Sequence, residues 1–196
     1  MQGRWGIFGG LFDPVHNGHL HLARSLLAKA DLDCILWVPS ATPQHKSASV
    51  PVSFEMRVEM LHIALKNESQ MCMSEIEREE KLSGYALHTV QALKKRYPTA
   101  DFSFIIGADN VSDLVNWYHY EQLLDEIPLI SGSRGGIIDN TPAEIHGRVK
   151  QFAIEPLTIA SRDIRERLKN RIELDWVRSS LPPGLLEYIE EHGLYR

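Results

Sequence analysis

The sequence predicts an α/β domain built on a doubly wound, mostly parallel sheet, and three observations carry that prediction. Short unbroken apolar runs, such as Cys34 to Val38 and Phe102 to Ile106, have the character of strands buried on both faces. Other stretches carry apolar residues at three- and four-residue spacing, as helices packed by one face do. The two kinds alternate along the chain, which is the pattern of βαβ units. A length of 196 residues suits one domain spanning 1–196.

The first unit is the most informative. Trp5-Gly6-Ile7-Phe8 reads as a strand that runs into Gly9-Gly10, where glycine lets backbone N–H groups come close to an anion. Leu22, Ala23, Leu26, Leu27 and Ala30 then recur at helical spacing, so a helix starts near Asn17, a good N-cap residue. A helix N-terminus carries partial positive charge and unpaired N–H groups that favour phosphate. His16 and His19, three residues apart, fall on one side of that start and form two donors aimed at one anionic point. Zinc is the other use for two histidines, but no Cys, Asp or Glu lies at ligand spacing in the same helix.

The remaining elements follow in order. Cys34 to Val38 is a second strand stopped by Pro39, and the polar loop after it ends in His45 and Lys46, a pair that by itself reads as solvated surface. Ser53 caps a helix through Leu65, Met71 to Ser74 is a third strand, and the charged run Glu75 to Lys81 reads as a solvated loop. A helix opens around Gly84-Tyr85-Ala86 and stops before Pro98. The fourth strand, Phe102 to Ile106, leads into Gly107-Ala108-Asp109, which puts a carboxylate at the edge of a parallel sheet where ligands bind. Asp109 serves either such a ligand or the cap of a helix from Asn110 to Val115. Trp117 stands among the polar residues Asn116 and His119, and serves either a site or the core.

Ile127 to Ser131 is the fifth strand, followed by a glycine-rich loop that carries Arg134, and Phe152 to Ile154 is the sixth. Ser161 then caps a helix whose first turn holds Arg162 and Arg165. Cations in a first turn oppose the helix dipole unless an anion sits there. The tail Leu181 to Tyr195 is a helix with Pro183 in its first turn and Gly193 as its stop.

The segment Gly9-Gly10-Leu11-Phe12-Asp13-Pro14-Val15-His16-Asn17-Gly18-His19 resembles the histidine signature of the nucleotidyltransferase superfamily. It is most similar to the bacterial nicotinate-mononucleotide adenylyltransferases, which usually have Thr where Leu11 stands. The resemblance extends to a Pro-Pro-His-Lys loop here written Pro43-Gln44-His45-Lys46, to Arg57 and Met60, to Gly107-Ala108-Asp109 with Leu114 and Trp117, and to an Ile-Ser-Ser-Thr-x-Ile-Arg segment here written Ile159 to Arg165. The departures are Gly84, Ala86 and His88 where that family has Ser, Thr and Asp, and Ala160 and Arg162 where it has Ser and Thr.

What the resemblance implies is a Rossmann-like fold and transfer of the adenylyl group of ATP to nicotinate mononucleotide, giving nicotinate adenine dinucleotide and pyrophosphate in NAD biosynthesis. It implies phosphate chemistry at His16, His19, Lys46 and Arg165, and ATP contacts from Gly9, Gly10, Phe12, Gly18, Ser161 and Arg162. Acceptor contacts fall to Tyr85, Ala86, Gly107, Asp109, Trp117 and Arg134, and Mg²⁺ accompanies ATP. Another phosphate acceptor, such as nicotinamide mononucleotide or phosphopantetheine, and a non-catalytic adenylate-binding homologue stay open at this point. A phosphate monoester is already anionic near neutral pH, so such an acceptor needs alignment and charge relief rather than a strong base.

Composition narrows the partners. The net charge of −5 argues against a nucleic-acid polymer and leaves small nucleotides, held by local cations. No apolar run approaches membrane-spanning length. The start Met1-Gln2-Gly3-Arg4 leaves no room for a signal peptide. Cys34 and Cys72 lie in apolar runs and are expected to be buried thiols in a cytoplasmic protein. Oligomeric state is not read from the sequence.

Overall fold

A computed structural model describes residues 2–42, 52–133, 141–155 and 157–196. Among the described residues, six strands form one sheet: β1 (Gly3–Gly10), β2 (Cys34–Pro39), β3 (Met71–Met73), β4 (Ala100–Ile106), β5 (Leu129–Ser133) and β6 (Val149–Ala153). The order across the sheet is β3-β2-β1-β4-β5-β6, and every pairing is parallel. The helices are α1 (Asn17–Lys29), α2 (Phe54–Leu65), α3 (Ile76–Glu79), α4 (Ala86–Arg96), α5 (Ala108–Val111), α6 (Tyr120–Glu126), α7 (Ser161–Asn170), α8 (Leu174–Ser180) and α9 (Leu185–Glu191).

The alternation of side chains along each strand divides the core in two. Phe8, Ile35, Trp37, Ile105 and Ile130 face the layer that holds α1, α2, α7, α8 and α9. Ile7, Leu36, Val38, Phe104 and Leu129 face the layer that holds α3, α4, α5 and α6. Both faces are therefore covered, which is why the strands read as continuous apolar runs. Winding runs outward in both directions from β1 and β4, so the crevice beyond their carboxyl ends lies at the switch point of the sheet.

Several boundaries differ from the sequence expectation, each for a local reason. The N-cap of α1 is His16 rather than Asn17; the Asn17 amide instead donates to the Ser179 and Leu181 carbonyls, at 2.9 and 3.2 Å. Ser53 does cap α2, accepting from the Met56 N–H. The run Glu75 to Lys81 is not a solvated loop, because Glu77 is buried. It accepts from the Thr89 hydroxyl at 2.7 Å and from the Ala41 N–H at 3.0 Å, and α3 forms around it. The helix expected over Asn110 to Val115 is divided into α5 and a 3-10 turn at Leu114–Asn116.

Gly132 and Ser133 belong to β5 rather than to a loop. The cap of α7 is Ala160, with Ser161 as the first helical residue, and the tail helix begins at Leu185 after Gly184, with α8 before it. Cys34 and Cys72 are half-buried thiols on neighbouring strands, with their sulfurs 3.5 Å apart.

Candidate active site

The carboxyl ends of β1 and β4 open into a cavity of about 870 Å³. Of the residues singled out in the sequence, Gly9, Gly10, Phe12, His16, Gly18, His19, Gly107, Asp109, Trp117, Ser161, Arg162 and Arg165 all line it. Tyr85 and Ala86 do not; they lie at the start of α4, beside the same edge. Lys46 and Arg134 fall outside the described residues.

The histidine pair is built by the start of α1. The two rings stack with centroids 3.6 Å apart and planes 24° from parallel. A Cβ on Gly18 would lie only 3.0 Å from His16 Nδ1, so glycine there makes room for the stacked imidazole. The His16 N–H donates to His19 Nδ1 at 3.2 Å. A neutral imidazole that accepts at Nδ1 carries its proton on Nε2, so His19 presents a donor to the cavity. Phe12 and Phe8 pack edge-on beneath His19, with centroids 5.2 and 6.1 Å away. His16 is nearly sealed from solvent, and that burial lowers its pKa to about 4; its Nδ1 is buried with no hydrogen-bond partner among the described residues.

The turn from Leu11 to Pro14 carries a non-glycine residue, Phe12, at φ +52°. Its Phe12 ring fills the space beside Gly10, where a Cβ would come within 2.9 Å. Donors from elsewhere in the chain hold its carbonyls. Arg57, 2% exposed, donates Nη1 to the Leu11 carbonyl and Nη2 to the Ser40 carbonyl, both at 2.9 Å. Arg165 Nη1 donates to the Asp13 carbonyl at 2.6 Å, and the Ser161 hydroxyl donates to the Pro14 carbonyl at 2.9 Å. The Asp13 carboxylate is buried and accepts from the Tyr195 hydroxyl. Burial pulls the Arg57 guanidinium below its ordinary value, and the negative Asp13 beside it is the largest influence opposing that shift.

The N-termini of α1 and α7 thus converge on one cavity through His16, Gly18 and His19 from one side and Ala160, Ser161 and Arg162 from the other. Two helix starts with their unpaired N–H groups make a strong anion site. Arg162 projects into solvent, with its side chain 84% exposed, within 3.7 Å of Asp163. It does not face the same way as Arg165, which turns inward to Asp13. At the far end, Trp117 is half-buried and stands edge-on to Phe104, with centroids 6.4 Å apart. Tyr118 carries the chain across to Tyr85, whose ring it stacks at 4.3 Å. In place of the family's Asp, His88 accepts or donates through Nδ1 to the Ser83 hydroxyl at 2.6 Å.

Arg57, Asp13 and Tyr195 are the members of this assembly that the sequence underrates. Arg57 sits on the apolar side of its helix, between Val58 and Met60 and close to Leu61, and an arginine so placed signals a buried guanidinium with defined acceptors. Nothing local marks Tyr195, which meets Asp13 across 182 positions.

The comparisons with known proteins agree with this geometry. The cytidylyltransferase-like family matches residues 7–167. Nicotinate-nucleotide adenylyltransferase of Bacillus subtilis is 38% identical over 191 residues, covering 97% of each chain. Among solved structures, Plasmodium falciparum nicotinic acid mononucleotide adenylyltransferase in complex with NaAD superposes with a TM-score of 0.81 at 22% identity, covering 98% of this chain and 97% of that one. The same enzyme in complex with APC gives 0.80 at 21% identity. Similarity at this level over nearly the whole chain shows that the chain belongs to the cytidylyltransferase-like family, among its nicotinate-nucleotide adenylyltransferases.

Proposed function

We propose that this protein transfers the adenylyl group of ATP to nicotinate mononucleotide, releasing pyrophosphate and forming nicotinate adenine dinucleotide for NAD biosynthesis, as a cytoplasmic enzyme. The observation that carries the proposal is the convergence of two helix N-termini, a stacked histidine pair and Arg165 on one cavity at the switch point. The relatives that match over nearly the whole chain bear names of the same activity.

The chemistry asks little of a base. An oxygen of the acceptor phosphate attacks the α-phosphorus, a new P–O bond forms, and the bond to the bridging oxygen breaks as pyrophosphate leaves. The rate then depends on in-line alignment and on donors placed where charge grows. His19 supplies Nε2–H at the turn. His16, kept neutral by burial, offers a donor that needs no proton from solvent. Arg165, held through Nη1 by the Asp13 carbonyl, has five donors in all and can turn others to phosphate. Lys46, which follows β2 in the sequence and lies outside the described residues, adds a second cation by resemblance. Gly9, Gly10, Phe12 and Gly18 contribute backbone at the triphosphate, while Ser161 and Arg162 border it from α7.

On the acceptor side, Trp117 stacks on the pyridine ring, a favourable pairing for an electron-poor ring and an indole. Gly107 and Asp109 approach the nucleotide hydroxyls, Tyr85 and Ala86 complete the end of the site nearest α4, and Arg134, outside the described residues, is a further acceptor contact by resemblance. The side chains at Gly84, Ala86 and His88 differ from the family pattern, so recognition there falls to backbone N–H groups.

The donor set also bears on Mg²⁺. Of the carboxylates that line the cavity, Asp13, Asp109 and Asp163, the first is committed to Tyr195, and no three His, Cys, Asp or Glu side chains cluster to hold a metal among the described residues. This suits an ion carried by the ATP phosphates and its own waters, which when bound neutralises charge on the departing pyrophosphate.

Three outcomes follow. His19→Ala lowers kcat about a hundredfold while the KM for ATP changes by less than about threefold, because its donor matters most in the transition state; equal losses in both, measured by steady-state kinetics, contradict the role. Trp117→Ala raises the KM for nicotinate mononucleotide on the order of tenfold, the loss of one stacked base, and an unchanged KM removes Trp117 from the site. The third concerns pH. His16 takes up a proton below about 6.5 in the unfolded chain but only below about 4 when folded, so the unfolded state binds more protons between those values and stability falls as the pH is lowered through them. The full contribution is about 3 kcal/mol. Urea titrations at pH 7 and pH 4.5 read it as an excess acid sensitivity of the wild type over His16→Asn; identical pH dependence in the two contradicts a neutral, buried His16.

A further inference from the structure

The last residues of the chain reach the floor of the site. α9 ends in a Schellman arrangement: the Gly193 N–H donates to the Glu190 carbonyl at 3.2 Å and the Leu194 N–H to the Ile189 carbonyl at 3.0 Å. Gly193 has φ +61°, the conformation this motif requires. The reversal turns the chain back toward the sheet. Tyr195 follows, itself at φ +61°, a left-handed backbone that L side chains rarely adopt. The result is that its ring packs against the core beside Met60 and its hydroxyl meets the buried Asp13 carboxylate.

Asp13 is the hub of the phosphate turn. Its carbonyl is taken by Arg165, and its neighbours' carbonyls by Arg57 and Ser161. The Tyr195 hydroxyl donates to its side chain. Burial pushes the phenol well above its ordinary value, and the Asp13 charge adds to the shift, so the hydroxyl stays protonated and keeps donating. A hydrogen bond to a buried carboxylate is of the strong, charge-assisted kind. It fixes the direction of the Asp13 side chain and, through the same residue, the carbonyl against which Arg165 is aimed.

We propose that Tyr195 is a positioning residue for adenylyl transfer: by binding the Asp13 carboxylate it sets the turn from Leu11 to Pro14 and the Arg165 guanidinium in the geometry that receives the ATP phosphates. This rests on the adenylyl-transfer reading of the cavity. Tyr195 touches no substrate, and its effect passes through Asp13. It is therefore confined to the ATP end, more remote from Trp117.

The experiment uses the full chain as wild type, Tyr195→Phe, Asp13→Asn and the double variant. It measures kcat, both KM values, ATP binding by calorimetry in the presence of Mg²⁺, and the thermal midpoint. Tyr195→Phe keeps the ring and removes the donor. It is expected to lower kcat about tenfold and to weaken ATP binding severalfold, with the KM for nicotinate mononucleotide unchanged, and the double variant is expected to be no worse than Asp13→Asn alone. Wild-type kinetics with only a lowered midpoint overturn the proposal, as do losses that multiply in the double variant. If Asp13→Asn does not fold, the Tyr195→Phe kinetics decide by themselves. If the wild type binds ATP but turns over no pyridine mononucleotide, the functional reading falls and the ATP affinity of Tyr195→Phe still judges this one, weakening supporting it and an unchanged affinity overturning it. A wild type that binds no ATP overturns both.

Discussion

The structure depends on one constraint: a tight turn at the end of β1 is driven into the protein, and its backbone carbonyls must find donors there. Unpaired buried carbonyls are costly, and Phe12 adds a left-handed backbone costing about 1 kcal/mol. The chain satisfies the turn from three remote places. α2 sends Arg57 to Leu11, and α7 sends Arg165 to Asp13 and Ser161 to Pro14. The tail after α9 sends Tyr195 to the Asp13 carboxylate. With its carbonyls turned to these donors, the turn leads into α1 with N–H groups to spare for an anion.

This arrangement explains how a protein of net charge −5 can hold a polyanion. Attraction comes from partial charges at two helix starts and from Arg165, whose guanidinium is held by the neutral Asp13 carbonyl rather than left to solvent. Groups fixed before the substrate arrives need no reorganisation during the reaction. The stacked histidines follow the same logic: His19 has its tautomer set by the His16 N–H, and His16 is kept neutral by its burial.

Much of this is written locally in the chain. The strands that form the centre of the sheet, the start of α1, the paired histidines and the glycine before Asp109 are all decided by neighbours within a few positions, where periodicity and turn chemistry operate. Boundaries move where a tertiary contact overrides local pattern. Glu77 makes α3 out of an apparent loop because Thr89 and Ala41 need its carboxylate, and Asn17 gives up its cap because Ser179 and Leu181 take its amide. What a linear reading misses are the partners of the turn. Arg57 lies 46 positions from Leu11, Ser161 147 from Pro14, and Tyr195 182 from Asp13; residue type alone does not say that an arginine or a tyrosine is spoken for by a carbonyl so far away. Arg162 shows the converse, since helical spacing pairs it with Arg165 but solvent takes its side chain.

In the proposed reaction this cavity joins ATP to a pyridine mononucleotide bearing an acid group. A coupled assay of pyrophosphate release, with ATP and Mg²⁺ and either nicotinate or nicotinamide mononucleotide at equal concentration, reads that reaction itself. Release is expected to require both ATP and the acceptor and to prefer the acid strongly. Release with the amide preferred, or with neither nucleotide, would contradict that proposal.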